Sequence, residues 1–76
     1  LQSDPHNSIY QINYANALQG QGKNAEAQSV LRAVTQKEPS NYPAWFNLGN
    51  LYSELQQYEE AIHCYRKALD IEQSHY

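Results

Sequence analysis

Two pairs of asparagines carry the most suggestive chemistry in this chain. Asn13 and Asn16 stand three residues apart, and the same pair returns as Asn47 and Asn50. A primary amide both donates and accepts hydrogen bonds, as a peptide backbone does, so a row of such amides suits the recognition of main chain. Other reactive residue types fail on spacing. His63 and Cys64 are adjacent, and neighbours on a helix point about 100° apart, so they cannot serve each other as base and nucleophile. No Asp or Asn is placed to orient the histidine, and the pair reads as surface and half-buried filler. His6 and His75 share no metal-ligand spacing with a second His or Cys. Gly20-Gln21-Gly22-Lys23 has the look of a phosphate-loop fragment, yet it follows a helical pattern and lacks the spacing of a P-loop, so it reads as a turn. No catalytic residue, metal or cofactor is expected.

The elements that must position the asparagines are helices. Asn7 and Ser8 can cap a first helix running to Leu18, and the Gly20–Asn24 cluster breaks it, with a glycine placed to end it in the left-handed conformation. A second helix opens at Asn24 and reaches about Lys37, with Ala27, Val30, Leu31 and Val34 forming an amphipathic stripe. Pro39-Ser40-Asn41 ends it. Pro43 is tolerated in the first turn of a third helix that continues to Leu55. The fourth starts near Tyr58, carries Ala61, Ile62, Tyr65, Ala68 and Leu69 on one side, and extends to Glu72 or beyond. Short connections force antiparallel neighbours, which gives two helical hairpins in series and an all-α fold.

The hairpins repeat each other at a spacing of 34 residues: Asn13 recurs as Asn47, Asn16 as Asn50, Glu26 as Glu60, Ala27 as Ala61, and Pro5 as Pro39. A period of this length marks stacked helix pairs. In the second unit Trp45, Leu48-Gly49, Tyr52, Ala61 and Tyr65 fall at the signature positions of the tetratricopeptide repeat, which this segment resembles. The first unit is similar but degraded, with Gln11, Ala15, Leu18 and Leu31 in place of Trp45, Gly49, Tyr52 and Tyr65. The expected units are residues 8–41 and 42–75, preceded by residues 1–7 as the tail of an earlier repeat and followed by Tyr76 as the first residue of a later one. The chain thus reads as a piece of a longer array. Gln73 stands where Pro5 and Pro39 stand, which frees the last helix to run on through His75.

Small residues at Ala15, Gly49, Ala27 and Ala61 let paired helices approach to about 8–10 Å. Trp45 and Tyr65 fill the remaining space, whereas Gln11 cannot fill a Trp-sized hole. The resemblance implies a right-handed superhelical segment whose first helices line a concave, peptide-binding groove. On that basis Ile12, Asn13 and Asn16, with Ile9 and Gln19, face the groove from the first helix. Phe46, Asn47 and Asn50, with Pro43 and Ser53, face it from the third.

Charge bounds the partner. The net charge of −3 gives no reason to seek phosphate backbones or acidic lipid, so neither nucleic acid nor membrane is expected. Residues 8–18 carry no charge and residues 42–55 carry only Glu54, while Lys23, Arg32, Lys37, Arg66 and Lys67 fall in loops or on the second helices. The carboxylate-clamp members of the family grip acidic C-termini with basic groove residues, and this chain lacks them. A neutral or apolar protein or peptide is the expected partner. A 76-residue chain buries only about 60% of its unfolded surface, and no polar cap covers the face of Tyr58, Ile62, Tyr65 and Leu69, so homo-oligomerisation through uncapped ends is expected as well. One cysteine fits a reducing compartment; the cytoplasm is favoured and the periplasm stays open. Two other readings of function stand beside peptide binding: a structural, self-associating spacer, and a segment that recruits substrate for an enzyme domain.

Overall fold

A computed structural model describes residues 5–73. The helices are α1, Pro5–Gly20; α2, Asn24–Lys37; α3, Tyr42–Glu54; and α4, Tyr58–Gln73. Helix α1 pairs with α2 and α3 with α4, and the second hairpin rests on the first mainly through α2 and α3. The fold is all-α, two antiparallel hairpins stacked side by side.

Three of the helices fall where the sequence places them, within a residue or two. Helix α1 is longer than expected at both ends. It opens at Pro5 rather than at the Asn7-Ser8 cap, because a proline loses nothing at a position where its missing N–H would have no partner. It closes two residues later than Leu18, through Gly22, whose φ of 82° is the left-handed conformation. There the Lys23 amide donates to the Leu18 carbonyl at 2.8 Å and the Gly22 amide to the Gln19 carbonyl at 3.0 Å, the paired bonds that finish a helix at a left-handed residue. One period on, the same device closes α3. The Gln57 amide donates to the Tyr52 carbonyl at 2.9 Å, the Gln56 amide to the Ser53 carbonyl at 3.0 Å, and Gln56 takes a φ of 63° without being glycine. The extension of α4 through His75, and the places of Asp4 and Tyr76 in flanking repeats, lie outside the described residues.

Helix α3 is anchored at its start by a side-chain cap that α2 lacks. Asn41 caps it by accepting from the Ala44 amide at 3.3 Å, while its own amide nitrogen donates to Glu38 Oε1 at 3.1 Å, tying α3 to the end of α2. The Trp45 indole donates to the Pro39 carbonyl at 2.9 Å across the same corner.

A single core joins the hairpins. Ala15 and Leu18 from α1, Ala27, Leu31 and Val34 from α2, Leu48, Leu51 and Tyr52 from α3, and Ala61 and Cys64 from α4 are all buried in it. Fully burying one such leucine or valine contributes roughly 1.5–3 kcal/mol. Leu31 and Leu51 are the largest side chains wholly enclosed among the described residues, and truncating either to Ala would open a cavity costing about 2–5 kcal/mol. The small residues act as expected at Gly49: a Cβ there would meet the Tyr65 ring at 2.8 Å. Trp45 departs from expectation in being only half-buried, packed on the edge of the core.

Candidate peptide-binding groove

The asparagines sit on α1 and α3, the first helix of each hairpin. Their spacing of three puts the members of a pair on one helical face. Asn13 and Asn16 are exposed, and Asn47 and Asn50 are partly covered. The two pairs differ in freedom. Asn50 Oδ1 accepts a hydrogen bond from the Tyr65 hydroxyl at 2.5 Å, which leaves its amino group as the remaining polar function. The first hairpin has Leu31 where Tyr65 stands, so no hydroxyl reaches Asn16 from that position.

The two apolar residues expected in the groove part company. Ile12 is only 8% exposed and belongs to the core, so it supports the asparagine face from beneath and is not an open contact. This corrects the sequence expectation, and the reason is packing: the second hairpin lies over the side of α1 and α2 where Ile12 emerges. Phe46, one period later, is 51% exposed. Its ring leans on Tyr65 with centroids 5.6 Å apart and planes tilted by 53°, within the range of favourable aromatic pairs. Phe46 and Tyr65 share the floor of an apolar cleft of about 630 Å³ between α3 and α4, which Asn47 and Glu72 border. Ile9 is exposed.

A second, smaller cleft of about 320 Å³ lies between α2, α3 and α4, away from the asparagines, among Arg32, Gln36, Trp45, Glu59 and His63. Trp45 is held there from two sides, by the His63 ring edge-on at 6.2 Å and by the Lys67 ammonium at 5.6 Å from its centroid. Sequence reasoning missed these partners, although the spacing of His63 and Lys67 by four places both on one side of α4. Cys64 turns inward and is buried. Burial pushes its thiol up to about 11, with the Glu60 carboxylate adding to the effect, so at neutral pH it is a protonated, inert core residue and His63 is exposed beside it. Among the described residues no group of three or more His, Cys, Asp or Glu side chains could hold a metal ion.

Paired helices repeated in sequence and stacked through one core define an α-helical repeat protein. Two family models, both described as tetratricopeptide repeat, match residues 10–51 and 42–75. The chain belongs to the tetratricopeptide repeat family and spans about two of its repeats. Members of that family are generally protein-interaction modules and typically non-catalytic scaffolds. A search of curated proteins found no match to this chain.

Proposed function

We propose that the units 8–41 and 42–75 together hold a neutral or apolar peptide, extended or helical, along the face of α1 and α3, with Asn13, Asn16, Asn47 and Asn50 as hydrogen-bonding contacts and Phe46 as the apolar one. The observation that supports this most is the pairing of accessible amides with an absence of charge: α1 has no charged residue from Ser8 to its end, and α3 has only Glu54. Ile12 supports the face from the core. Each net hydrogen bond contributes about 0.5–1.5 kcal/mol, so two repeats bind on the order of micromolar or weaker. Salt has little to screen in such a contact.

The test is to select a binder from a displayed library of uncharged peptides and titrate it at low and high salt against the parent chain, Asn16→Ala, Asn47→Ala and Asn50→Ala. The expected result is an affinity that hardly changes with salt and falls several-fold with each substitution. Strong salt dependence together with indifference to all three would move the binding site to the charged outer faces of α2 and α4.

Self-association is the second reading. Tyr58, Ile62 and Leu69 on α4 are large, apolar and exposed, which favours contact with another copy through the end of the stack.

A further inference from the structure

The junction between the two hairpins holds a cleft that owes nothing to the asparagine face. Its volume is about 320 Å³, with one wall from α2, the floor from α3 and the other wall from α4. It is complete within two adjacent repeats and involves neither end face of the stack. At the small end of the roughly 300–1,000 Å³ usual for ligand pockets, it suits one inserted side chain rather than a helix.

At the floor the polar atoms are already engaged inside the protein. The Thr35 hydroxyl donates to the Arg32 carbonyl at 2.9 Å, the Tyr52 hydroxyl accepts from the Gln28 side-chain amide at 3.3 Å, and the Trp45 indole N–H donates to the Pro39 carbonyl at 2.9 Å. With its N–H committed, Trp45 meets a ligand through its π surface. That ring already draws a cation: the Lys67 ammonium stands 5.6 Å from its centroid, although Lys67 is not among the residues that line the cleft. At the rim α4 contributes the exposed Glu59 and Glu60, and α2 the exposed Arg32 and Gln36. Among the described residues none of Arg32, Glu59 and Glu60 forms an ion pair, so their hydrogen-bonding capacity is unspent. Two carboxylates against one guanidinium leave the rim negative.

An indole ring bordered by carboxylates matches the chemistry of arginine. A guanidinium is planar, so it can lie on the ring and at the same time direct a fork of N–H donors at a carboxylate, whereas an ammonium is a compact point charge. A neutral side chain would leave both glutamates unanswered, and an acidic one would be repelled by them. The opposite wall supplies donors, since the Arg32 guanidinium and the Gln36 amide can meet carbonyl oxygens of the chain that carries the arginine.

We infer that the cleft between α2, α3 and α4 is a second recognition site, which takes an arginine side chain of a partner polypeptide onto Trp45 and against Glu59 and Glu60, with Arg32 and Gln36 meeting the flanking main-chain carbonyls. The family's general role in protein interaction makes a polypeptide the source of that side chain. The site stands apart from the asparagine face and holds or fails without it.

Trp45 is the only tryptophan in the chain, so its emission reads the cleft directly. The probe is acetyl-Gly-Arg-Gly-amide, titrated to about 10 mM, beside the same tripeptide with citrulline or lysine at the centre. The arginine peptide should change the emission saturably, and added salt should weaken its binding several-fold by screening the charges. Citrulline, which keeps the shape and loses the charge, should give no saturable change, and lysine should bind several-fold more weakly. Glu59→Gln and Glu60→Gln, at exposed positions and with thermal melts to confirm the fold, should each weaken the arginine peptide several-fold, while Asn47→Ala should leave it unchanged. No saturable change with arginine, equal binding of the citrulline or lysine peptide, or indifference to both glutamate substitutions overturns the site. Loss of binding in Asn47→Ala overturns it too, by moving the peptide to the face of α1 and α3.

Discussion

The Tyr65 hydroxyl on α4 donates to the Oδ1 of Asn50 on α3 at 2.5 Å, and the same tyrosine ring lies against Gly49. One side chain thereby sets the distance between two helices and the orientation of an amide on the candidate binding face. Because its oxygen is engaged within the hairpin, Asn50 keeps its amino group as the remaining polar function, whereas Leu31, at the position equivalent to Tyr65, offers Asn16 no such bond.

Gly49→Ala should be destabilising by about 1–3 kcal/mol, since the added methyl would stand 2.8 Å from the Tyr65 ring. The first hairpin shows the compensating pair, Ala15 with Leu31. Gly49→Ala should therefore cost much less in a Tyr65→Leu background. Urea melts of the four chains give the coupling directly; equal costs in both backgrounds would remove the ring contact as the cause. Tyr65→Phe, which keeps the ring and deletes the hydroxyl, should lose only about 1 kcal/mol.

Gln56 holds a φ of 63° where Gly22 holds 82° at the end of the preceding hairpin. An L side chain in that conformation costs roughly 1–2 kcal/mol, partly offset by the extra freedom glycine gives the unfolded chain. Gln56→Gly should raise stability by about 0.5–1 kcal/mol, and Gly22→Ala should lower it. A melting midpoint that falls for Gln56→Gly would contradict the strain argument.

Trp45→Ala should destabilise by about 2 kcal/mol, less than the 3–5 kcal/mol of a fully enclosed ring, because Trp45 is half-buried, although the bond to the Pro39 carbonyl is lost with it. Gln11→Trp should be neutral or stabilising. Tyr10 and Tyr14 are exposed and do not occupy the ground that a ring at position 11 would cover. Thermal melts separate the two outcomes.

Acid should weaken the corner between α2 and α3. Glu38 sits below its ordinary value of 4.5, chiefly through the nearby Ser8 hydroxyl and then through the Asn41 amide, with the Lys37 charge adding a little. Ser8 Oγ is buried and makes no hydrogen bond of full geometry, so proximity rather than a well-formed bond carries its part. A carboxyl whose value is lowered on folding stabilises the fold fully above its unfolded value, and that stability is lost as pH falls through the lowered one. Midpoints of melting should thus drop as pH falls below about 4.5. Glu38→Gln should be less sensitive over that window; an identical pH slope would exclude Glu38 as a contributor.

Helix number, the turns, and the places of Gly49, Ala27 and Ala61 were legible in the sequence because period and small-residue spacing are local, additive signals. The length of α1 was not. A proline inside the first turn and a cap two residues on compete for the same start, and Asn7-Ser8 is the louder motif. Ile12 was placed in the groove through the family resemblance, and the spacing along α1 does not tell which of its faces the second hairpin covers; Ile12 and Phe46 hold equivalent positions, yet the first is 8% and the second 51% exposed. The link from Tyr65 to Asn50 spans fifteen residues and depends on how closely two helices approach, which no spacing rule on one helix contains.

Cys64 gives the chain an internal clock. It is the one cysteine in the sequence, it is sealed between the helices, and its thiol is held up at about 11 by that burial. Cys64 lines the floor of the cleft between α2, α3 and α4 at only 2% exposure, so the rate at which a water-soluble alkylating reagent modifies it reports how often that region loosens. The same trace, followed against denaturant, would show whether the second repeat breathes alone or only when the whole chain unfolds.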